Sequence, residues 1–180
     1  MRRVVYYVAV SLDGYIAHED GSLDGFLFEG DHLQAYVESL RRFDTVLMGR
    51  HTYALGLAEG KTDPYPELES WVFSRTLAAS PDPRVHLERE DAVERVRLLR
   101  AADRERDVWL CGGAVLATEL LRADLLDELW LKVHPFVMGR GKSLFTAPLE
   151  AAGGTRSLEL LEEERFESGV RNARYAFVRP

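Results

Sequence analysis

The stretch formed by residues 107–135 constrains the fold of this chain most strongly. It reads DVWLCGGAVLATELLRADLLDELWLKVHP, in which an apolar run of strand length meets Gly112-Gly113 and a second strand-like run ends at Pro135. Between them, Val115, Leu116, Leu120 and Leu121 recur at helical spacing. A strand, a glycine turn, a helix and a further strand in this order predict a parallel α/β arrangement.

Two interpretations of Gly112-Gly113 remain open at this point. Adjacent glycines let the backbone bend sharply and approach a ligand closely, while the N–H groups of the following helix point the same way. Such a turn suits a phosphate or a pyrophosphate. An isolated Gly-Gly pair, however, more often only eases packing between a strand and a helix. Other segments must decide between the two.

The rest of the chain repeats the alternation of strands and helices. Strand-like apolar runs occupy residues 4–10, 45–48, 71–73, 85–87, 128–134, 158–166 and 170–178, and helical patterns follow Asp31, Gly49 and residue 91. Ser168-Gly169 separates the last two runs and predicts a hairpin. We therefore expect a single α/β domain over residues 1–180, with a mainly parallel central sheet, helices on both faces and a C-terminal antiparallel hairpin.

In sheets of this kind, ligands bind at the carboxyl ends of the strands. That rule places residues 11–16, 49–52, 74–76 and 112–115 along one rim. Arg50, Ser74 and Arg75 there offer two guanidinium groups and a hydroxyl, the donors that a phosphate monoester needs. Each is a common loop residue by itself, but together, beside two helix N-termini, they indicate an anion site. His51 is either a further donor or a capping residue.

Asp31 is the candidate for acid–base chemistry. It precedes an apolar stripe at helical spacing formed by Leu33, Tyr36, Val37 and Leu40, so a helix begins at or near it. Burial of its carboxyl near the ligand edge would raise its pKa and let it supply a proton to a substrate. The alternative is a plain N-cap aspartate.

Composition excludes several classes of function. With 46% hydrophobic and 29% charged residues, the chain has the makeup of a soluble domain. A net charge of -7 argues against a nucleic-acid partner. Cys111 is the single cysteine, and no spacing of His, Cys, Asp or Glu indicates a metal site. The apolar run after the first arginines is too short for a signal peptide or a membrane span, so we expect a cytoplasmic protein without a membrane partner.

Several of these segments together resemble the dihydrofolate reductase fold, and specifically the reductase domain of bifunctional riboflavin-biosynthesis deaminase-reductases and their stand-alone relatives. The matching segments are SLDGYIA at 11–17, MGRHTY at 48–53, WVFSR at 71–75, LCGG at 110–113, and residues 125–145 with Asp127-Glu128-Leu129, Pro135 and Gly139-Arg140-Gly141. They occur in the family's order and span nearly the whole chain.

The resemblance implies a reductase with NADPH bound along the rim. Under it, the pyrophosphate and the adenosine 2′-phosphate would contact Gly49, Arg50, His51, Thr52, Ser74 and Arg75. The pyrophosphate would be covered from the other side by Gly112, Gly113, Ala114, Val115 and Leu116, and Ala9 and Ile16 would line the nicotinamide pocket. The relatives transfer a hydride from the nicotinamide C4 to a nitrogen heterocycle or a sugar carbonyl, and they commonly form homodimers.

Two departures from the family pattern limit what the resemblance implies about the substrate. Tyr15 stands where the riboflavin-pathway reductases usually carry a basic residue that contacts a ribityl phosphate. Residues 26–30 also lack the Trp-Asn-x-Pro lead of dihydrofolate reductase. The chain is most similar to the stand-alone group.

The sequence therefore predicts an NADPH-dependent oxidoreductase acting on a small heterocyclic substrate (pteridine, pyrimidine or flavin-like) or a carbonyl substrate. By resemblance this is an activity like that of 5-amino-6-(5-phosphoribosylamino)uracil reductase, with Asp31 as proton donor or substrate anchor. The alternatives are a nucleotide-binding module of the same fold without turnover and a purely structural dimeric domain.

Overall fold

A computed structural model describes residues 1–146 and 154–179. In chain order the strands are β1 (Val4–Ser11), β2 (Tyr15–Ala17), β3 (Phe43–Gly49), β4 (Glu69–Phe73), β5 (His86–Glu88), β6 (Asp107–Gly112), β7 (Glu128–His134), β8 (Lys142–Ser143), β9 (Leu158–Arg165) and β10 (Arg171–Phe177). The helices are α1 (His32–Ser39), α2 (Arg50–Ala58), α3 (Ala92–Ala101) and α4 (Ala114–Arg122), with a 3₁₀ turn at Leu40–Arg42.

Eight strands form one sheet in the order β5-β4-β3-β6-β1-β7-β10-β9. Every neighbouring pair from β5 to β7 is parallel, whereas β10 pairs antiparallel with both β7 and β9. Strands β2 and β8 form a small separate sheet. The mainly parallel sheet and the C-terminal antiparallel hairpin are therefore confirmed.

A hydrophobic core lies on each face of this sheet. Leu116 and Leu120 of α4 pack with Val96 of α3 against one face. On the other face, Tyr53 of α2 joins a cluster around Trp109, against which Tyr36 of α1 packs. Both faces are covered, so the central strands must be apolar on both sides, which is why they occur in the sequence as continuous apolar runs.

In two helices one residue of the predicted apolar stripe lies outside the core, while most of the other stripe residues face it. In α1, Val37 is 62% exposed, whereas His32 is only 2% exposed. The His32 ring can be buried because both of its nitrogens have polar neighbours. Its Nε2 lies 3.1 Å from the Leu27 carbonyl oxygen, and its Nδ1 lies 3.0 Å from the Ser168 hydroxyl. In α4, Val115 is 63% exposed because it lies in the first turn, where the helix meets the rim of the sheet.

Asp31 has a structural role that connects α1 to the C-terminal hairpin. It is the N-cap of α1, and its carboxylate accepts hydrogen bonds from the N–H groups of Glu167 at 2.7 Å and Ser168 at 3.2 Å. Desolvation acts to raise the pKa of Asp31, but these donors outweigh it and the pKa is lowered. The Asp31 carboxylate therefore stays ionised and hydrogen-bonded to backbone N–H groups, as the N-cap alternative requires.

Substitution of Asp31 tests this role. We expect Asp31→Ala to lower the melting temperature at pH 7 by about 3 °C, because one helix cap and two further acceptor contacts are lost. Asp31→Asn should cost less, since asparagine also caps helices. The native carboxyl has the lower pKa, so its contribution is present above the unfolded pKa near 4 and is lost as the pH falls below it.

Thermal unfolding of the two variants at pH 7 and at pH 3 measures both effects. A variant that melts like the parent protein but has lost activity would contradict the structural role and support the role of Asp31 as an acid.

Candidate functional site

A large cleft runs along the carboxyl ends of β1, β3, β4 and β6. Its volume is about 1490 Å³, more than the roughly 300–1,000 Å³ that a single drug-sized ligand occupies. The cleft is therefore long enough for an extended cofactor and a second small molecule. Every binding residue that the sequence predicts lines it: Ala9, Ile16, Gly49, Arg50, His51, Thr52, Ser74, Arg75, Gly112, Gly113, Ala114, Val115 and Leu116.

Two glycine turns meet in the middle of the cleft. A Cβ atom on Gly49 would lie 3.4 Å from the Gly113 Cα, and one on Gly113 would lie 3.3 Å from the Gly49 Cα. Gly113 also has φ +113°, which L residues rarely adopt. A Cβ on Gly49 would thus just reach van der Waals contact with the other turn, whereas one on Gly113 would be both tight and strained.

Helices α2 and α4 begin directly behind these turns. Neither Gly49 nor Gly113 provides a side-chain cap, so the N–H groups of both first turns lack side-chain acceptors. Both first turns line the cleft. Two helix N-termini with their dipoles directed toward one cleft form a site for an anion with more than one phosphate.

Cationic side chains extend this anion site. Arg50 and Arg75 are exposed and line the cleft, and neither forms an ion pair within residues 1–146 and 154–179. Arg50 Nη2 lies 3.1 Å from His51 Nε2. Desolvation, followed by the charges of Arg50 and Lys142, lowers the pKa of His51. His51 is thus neutral at pH 7 and accepts the hydrogen bond from Arg50.

Ser74 holds the loop after β4 in place at the cleft edge. Its Oγ accepts hydrogen bonds from Leu77 N at 2.9 Å and Thr76 N at 3.3 Å, and its own N–H donates to the Glu88 carbonyl at 3.0 Å. Ser74 is buried, and its hydroxyl hydrogen remains free to donate into the cleft. Arg75 follows this fixed serine and lines the same cleft as the first turn of α2.

The other end of the cleft is an aromatic lobe, which we define by Tyr7, Phe26, Tyr36, Lys132 and His134. Ala9 lies beside it, since Ala9 of β1 is in register with Lys132 of β7. The sequence did not indicate this lobe. Its one visible signal was a lysine in the middle of the strand ELWLKVH, where a strand buried on both faces should be apolar throughout.

His134 is held as a neutral ring in this lobe. Its Nδ1 accepts a hydrogen bond from Leu27 N at 3.1 Å, so a neutral ring carries its hydrogen on Nε2. Desolvation, with smaller contributions from His32 and Lys132, lowers the pKa of His134 to about 4.

The structure does not bring Asp31 to the cleft. Asp31 is absent from the residues that line it, because its carboxylate is turned toward the β9–β10 turn. The geometry therefore gives no support to Asp31 as proton donor or substrate anchor.

Within the described ranges, no three or more His, Cys, Asp and Glu side chains are grouped so as to hold a metal ion. No helix in the described part of the chain is long and apolar enough to cross a membrane.

Comparison with known proteins gives consistent matches along the whole chain. The family model described as RibD C-terminal domain matches residues 2–171. Two Bacillus subtilis (strain 168) proteins, both called uncharacterized, are similar in sequence. YwjB is 35% identical over 145 residues, covering 80% of this chain and 83% of its own. YyaP is 31% identical over 180 residues, covering 94% of this chain and 92% of its own.

Solved structures give the same result. A crystal structure from Shewanella sp. PV-4, described as a riboflavin biosynthesis protein, superposes with a TM-score of 0.80 at 26% identity, covering 99% of this chain and 100% of that chain.

A second neighbour from Thermotoga maritima is a diaminohydroxyphosphoribosylaminopyrimidine deaminase/5-amino-6-(5-phosphoribosylamino)uracil reductase. It superposes with a TM-score of 0.68 at 18% identity, covering 98% of this chain but only 57% of that chain. This likeness shows the fold alone. Because the family model covers nearly the whole chain and both Bacillus proteins match it over most of their length, the chain belongs to the RibD C-terminal domain family and has its dihydrofolate reductase-like fold.

Proposed function

We propose that this protein is an NADPH-dependent reductase that transfers a hydride to a small heterocyclic or carbonyl substrate. One observation carries the proposal: two helix N-termini without side-chain caps and two arginines without ion pairs line the same cleft. Membership in a reductase-type family supports it.

The central part of the cleft fits a pyrophosphate. Glycine at positions 49, 112 and 113 lets the two turns pack closely against each other and against Thr52, and the first N–H groups of α2 and α4 supply donors beside them. NADPH, once bound, supplies the hydride. The chain's own residues align that cofactor with the substrate and keep water away from it.

The arginines give the site its preference among nicotinamide cofactors. Among the residues that the structure describes, Arg50 and Arg75 have no carboxylate partner, so they are available to the 2′-phosphate that distinguishes NADPH from NADH. Ser74, which lines the same cleft, adds a hydroxyl donor.

The aromatic lobe is the proposed substrate end. It lies beside Ala9 and Ile16, the residues that we expect to contact the nicotinamide, and it is mostly apolar. An apolar lobe excludes water from the reacting carbon atoms and strengthens electrostatic interactions within it. Its shape and charge, rather than the phosphate site, determine which compound is reduced.

Cofactor titration tests the proposal directly. We expect quenching of tryptophan fluorescence on addition of NADPH, and about 10- to 100-fold weaker NADPH binding in Arg50→Ala and Arg75→Ala, with NADH binding little changed. Arg97→Ala serves as the matched control, because Arg97 is an exposed arginine on α3 that pairs with Glu94. Equal loss of NADPH and NADH binding would contradict assignment of these arginines to the 2′-phosphate.

Oxidation of NADPH by a panel of pteridine, flavin, aminopyrimidine and quinone compounds then tests turnover. If the cofactor binds but no compound oxidises it, the alternative of a nucleotide-binding module without turnover is favoured.

Two glycine variants separate cofactor binding from folding. Gly49 has φ -71°, which alanine adopts freely, so Gly49→Ala should weaken NADPH binding while the melting temperature falls only slightly. Gly113→Ala should weaken NADPH binding and also lower the melting temperature, because φ +113° is strained for any L residue. Thermal unfolding and NADPH titration of both variants provide the measurement. If Gly49→Ala binds NADPH as the parent does, the glycines serve packing alone.

We further propose that the protein is a homodimer. Leu158, Leu160 and Leu161 on the edge strand β9 are 40%, 53% and 42% exposed, which is unusual for apolar side chains on one short strand. We expect light scattering to give twice the 20.4 kDa of one chain, and Leu160→Glu to shift the mass toward the monomer. A parent protein that stays monomeric at tens of micromolar would exclude the dimer.

A further inference from the structure

Lys132 is a cation without an anionic partner in the aromatic lobe. Its Nζ lies 3.6 Å from the centroid of the Tyr36 ring and 5.0 Å from that of Tyr7. Within residues 1–146 and 154–179, it forms no ion pair and no hydrogen bond. Burial lowers the pKa of Lys132 to about 8, so its ammonium form still predominates at pH 7.

The groups that face Lys132 from the neighbouring elements are uncharged at pH 7. Burial raises the pKa of Tyr7 on β1 to about 12 and that of Cys111 on β6 to about 11. Burial also raises the pKa values of Tyr36 on α1 and of Tyr65, whose hydroxyl lies 3.4 Å from the Cys111 Sγ. On β7 itself, His134 is neutral, as described above.

The residues in register with Lys132 on β10 and β9 do not form an ion pair with it either. Asn172 of β10 is the register partner of Lys132, and Glu164 of β9 is the register partner of Asn172. Glu164 is exposed on the edge strand and forms no ion pair with Lys132 among the described residues. Glu164 does act on this surface, since its charge adds to burial in raising the pKa of Tyr7. Lys132 nevertheless has no paired anion among the described residues.

Such an arrangement is unfavourable for the protein alone. A desolvated ammonium loses its hydration, and contact with aromatic rings compensates for only part of that loss. An anionic oxygen placed at the Nζ would supply the missing partner. Conversely, a substrate that reacts as an iminium cation would be repelled by Lys132.

We propose that Lys132, within the aromatic lobe, is the substrate-anchoring residue for a small aromatic or conjugated compound that carries an anionic oxygen, such as a carboxylate or an enolate. The inference rests on the proposed function, because it takes this compound to be the substrate that accepts the hydride. The apolar rings contact its flat body, and the Lys132 ammonium pairs with its oxygen. This pairing selects acidic compounds over neutral and cationic ones of the same shape.

Benzoate and acetophenone provide the test, since they have nearly the same shape and differ in charge. Calorimetry of the parent protein at pH 7, with and without NADP⁺, should show benzoate binding at least about tenfold tighter than acetophenone. Lys132→Met should abolish this preference. Lys61→Met, which removes an exposed lysine paired with Glu59, should retain it. Because the ammonium form binds the anion, the preference should decline as the pH rises through about 8.

Thermal unfolding adds a readout that does not depend on a ligand. Lys132→Met should melt about 3 °C or more above the parent, because an unpaired buried charge is removed. The pKa of Lys132 is lower in the folded protein than the 10.5 of the unfolded chain. The unfolded state therefore holds more protons between these values, and the difference in melting temperature should be largest below pH 8 and narrow toward pH 10.5.

Three results would overturn the inference: equal binding of benzoate and acetophenone by the parent, a preference that survives in Lys132→Met, or a Lys132→Met variant that melts below the parent at every pH. If Lys132→Met does not fold, Lys132→Gln takes its place in the same comparison. Failure of the parent to bind NADPH would refute the proposed function. The preference for benzoate, measured without cofactor, would still test whether Lys132 pairs with an anionic oxygen.

Discussion

The contact between the turns at Gly49 and Gly113 is the constraint on which the rest of the structure depends. These turns end β3 and β6, which are neighbours in the sheet, and a Cβ on either glycine would lie within 3.4 Å of the other backbone. Because the turns approach so closely, the N-termini of α2 and α4 start side by side. Two helix dipoles then act on one point of the cleft, which neither helix could achieve alone.

The cleft combines two kinds of electrostatic surroundings. At the proposed phosphate end, Arg50 and Arg75 are exposed to solvent, so their charges, which have no ion pair among the described residues, cost the folded protein little. At the substrate end, Lys132 is surrounded by rings and neutral groups, and its unpaired charge opposes folding. Under the proposed role of Lys132, this loss of stability is balanced by ligand recognition, and binding sites are where local rules of folding are expected to fail.

Sequence-based expectations were accurate where one local pattern fixed the answer. Continuous apolar runs correctly located the central strands, because burial on both faces leaves few polar positions. In α1 the helical pattern correctly placed Tyr36 against the core, but Val37 is exposed and His32 is buried instead. No pattern could show this, since the partners of His32, the Leu27 carbonyl and the Ser168 hydroxyl, come from distant parts of the chain. The proposed role of Asp31 as a proton donor gains no support for the same reason: its carboxylate accepts hydrogen bonds from the N–H groups of Glu167 and Ser168, which are distant in the chain.

By itself, the sequence determined the α/β architecture, the rim along which the glycine turns lie and the residues that line the phosphate end of the cleft. These follow from periodicity and from the rule that parallel strands end at one edge. Only the tertiary structure decided the substrate end, because Tyr7, Tyr36 and Lys132 come from three separate elements. The role proposed for these residues depends on which side chains face one another and on the lack of a paired anion for Lys132 among the described residues. Both are properties of packing in three dimensions.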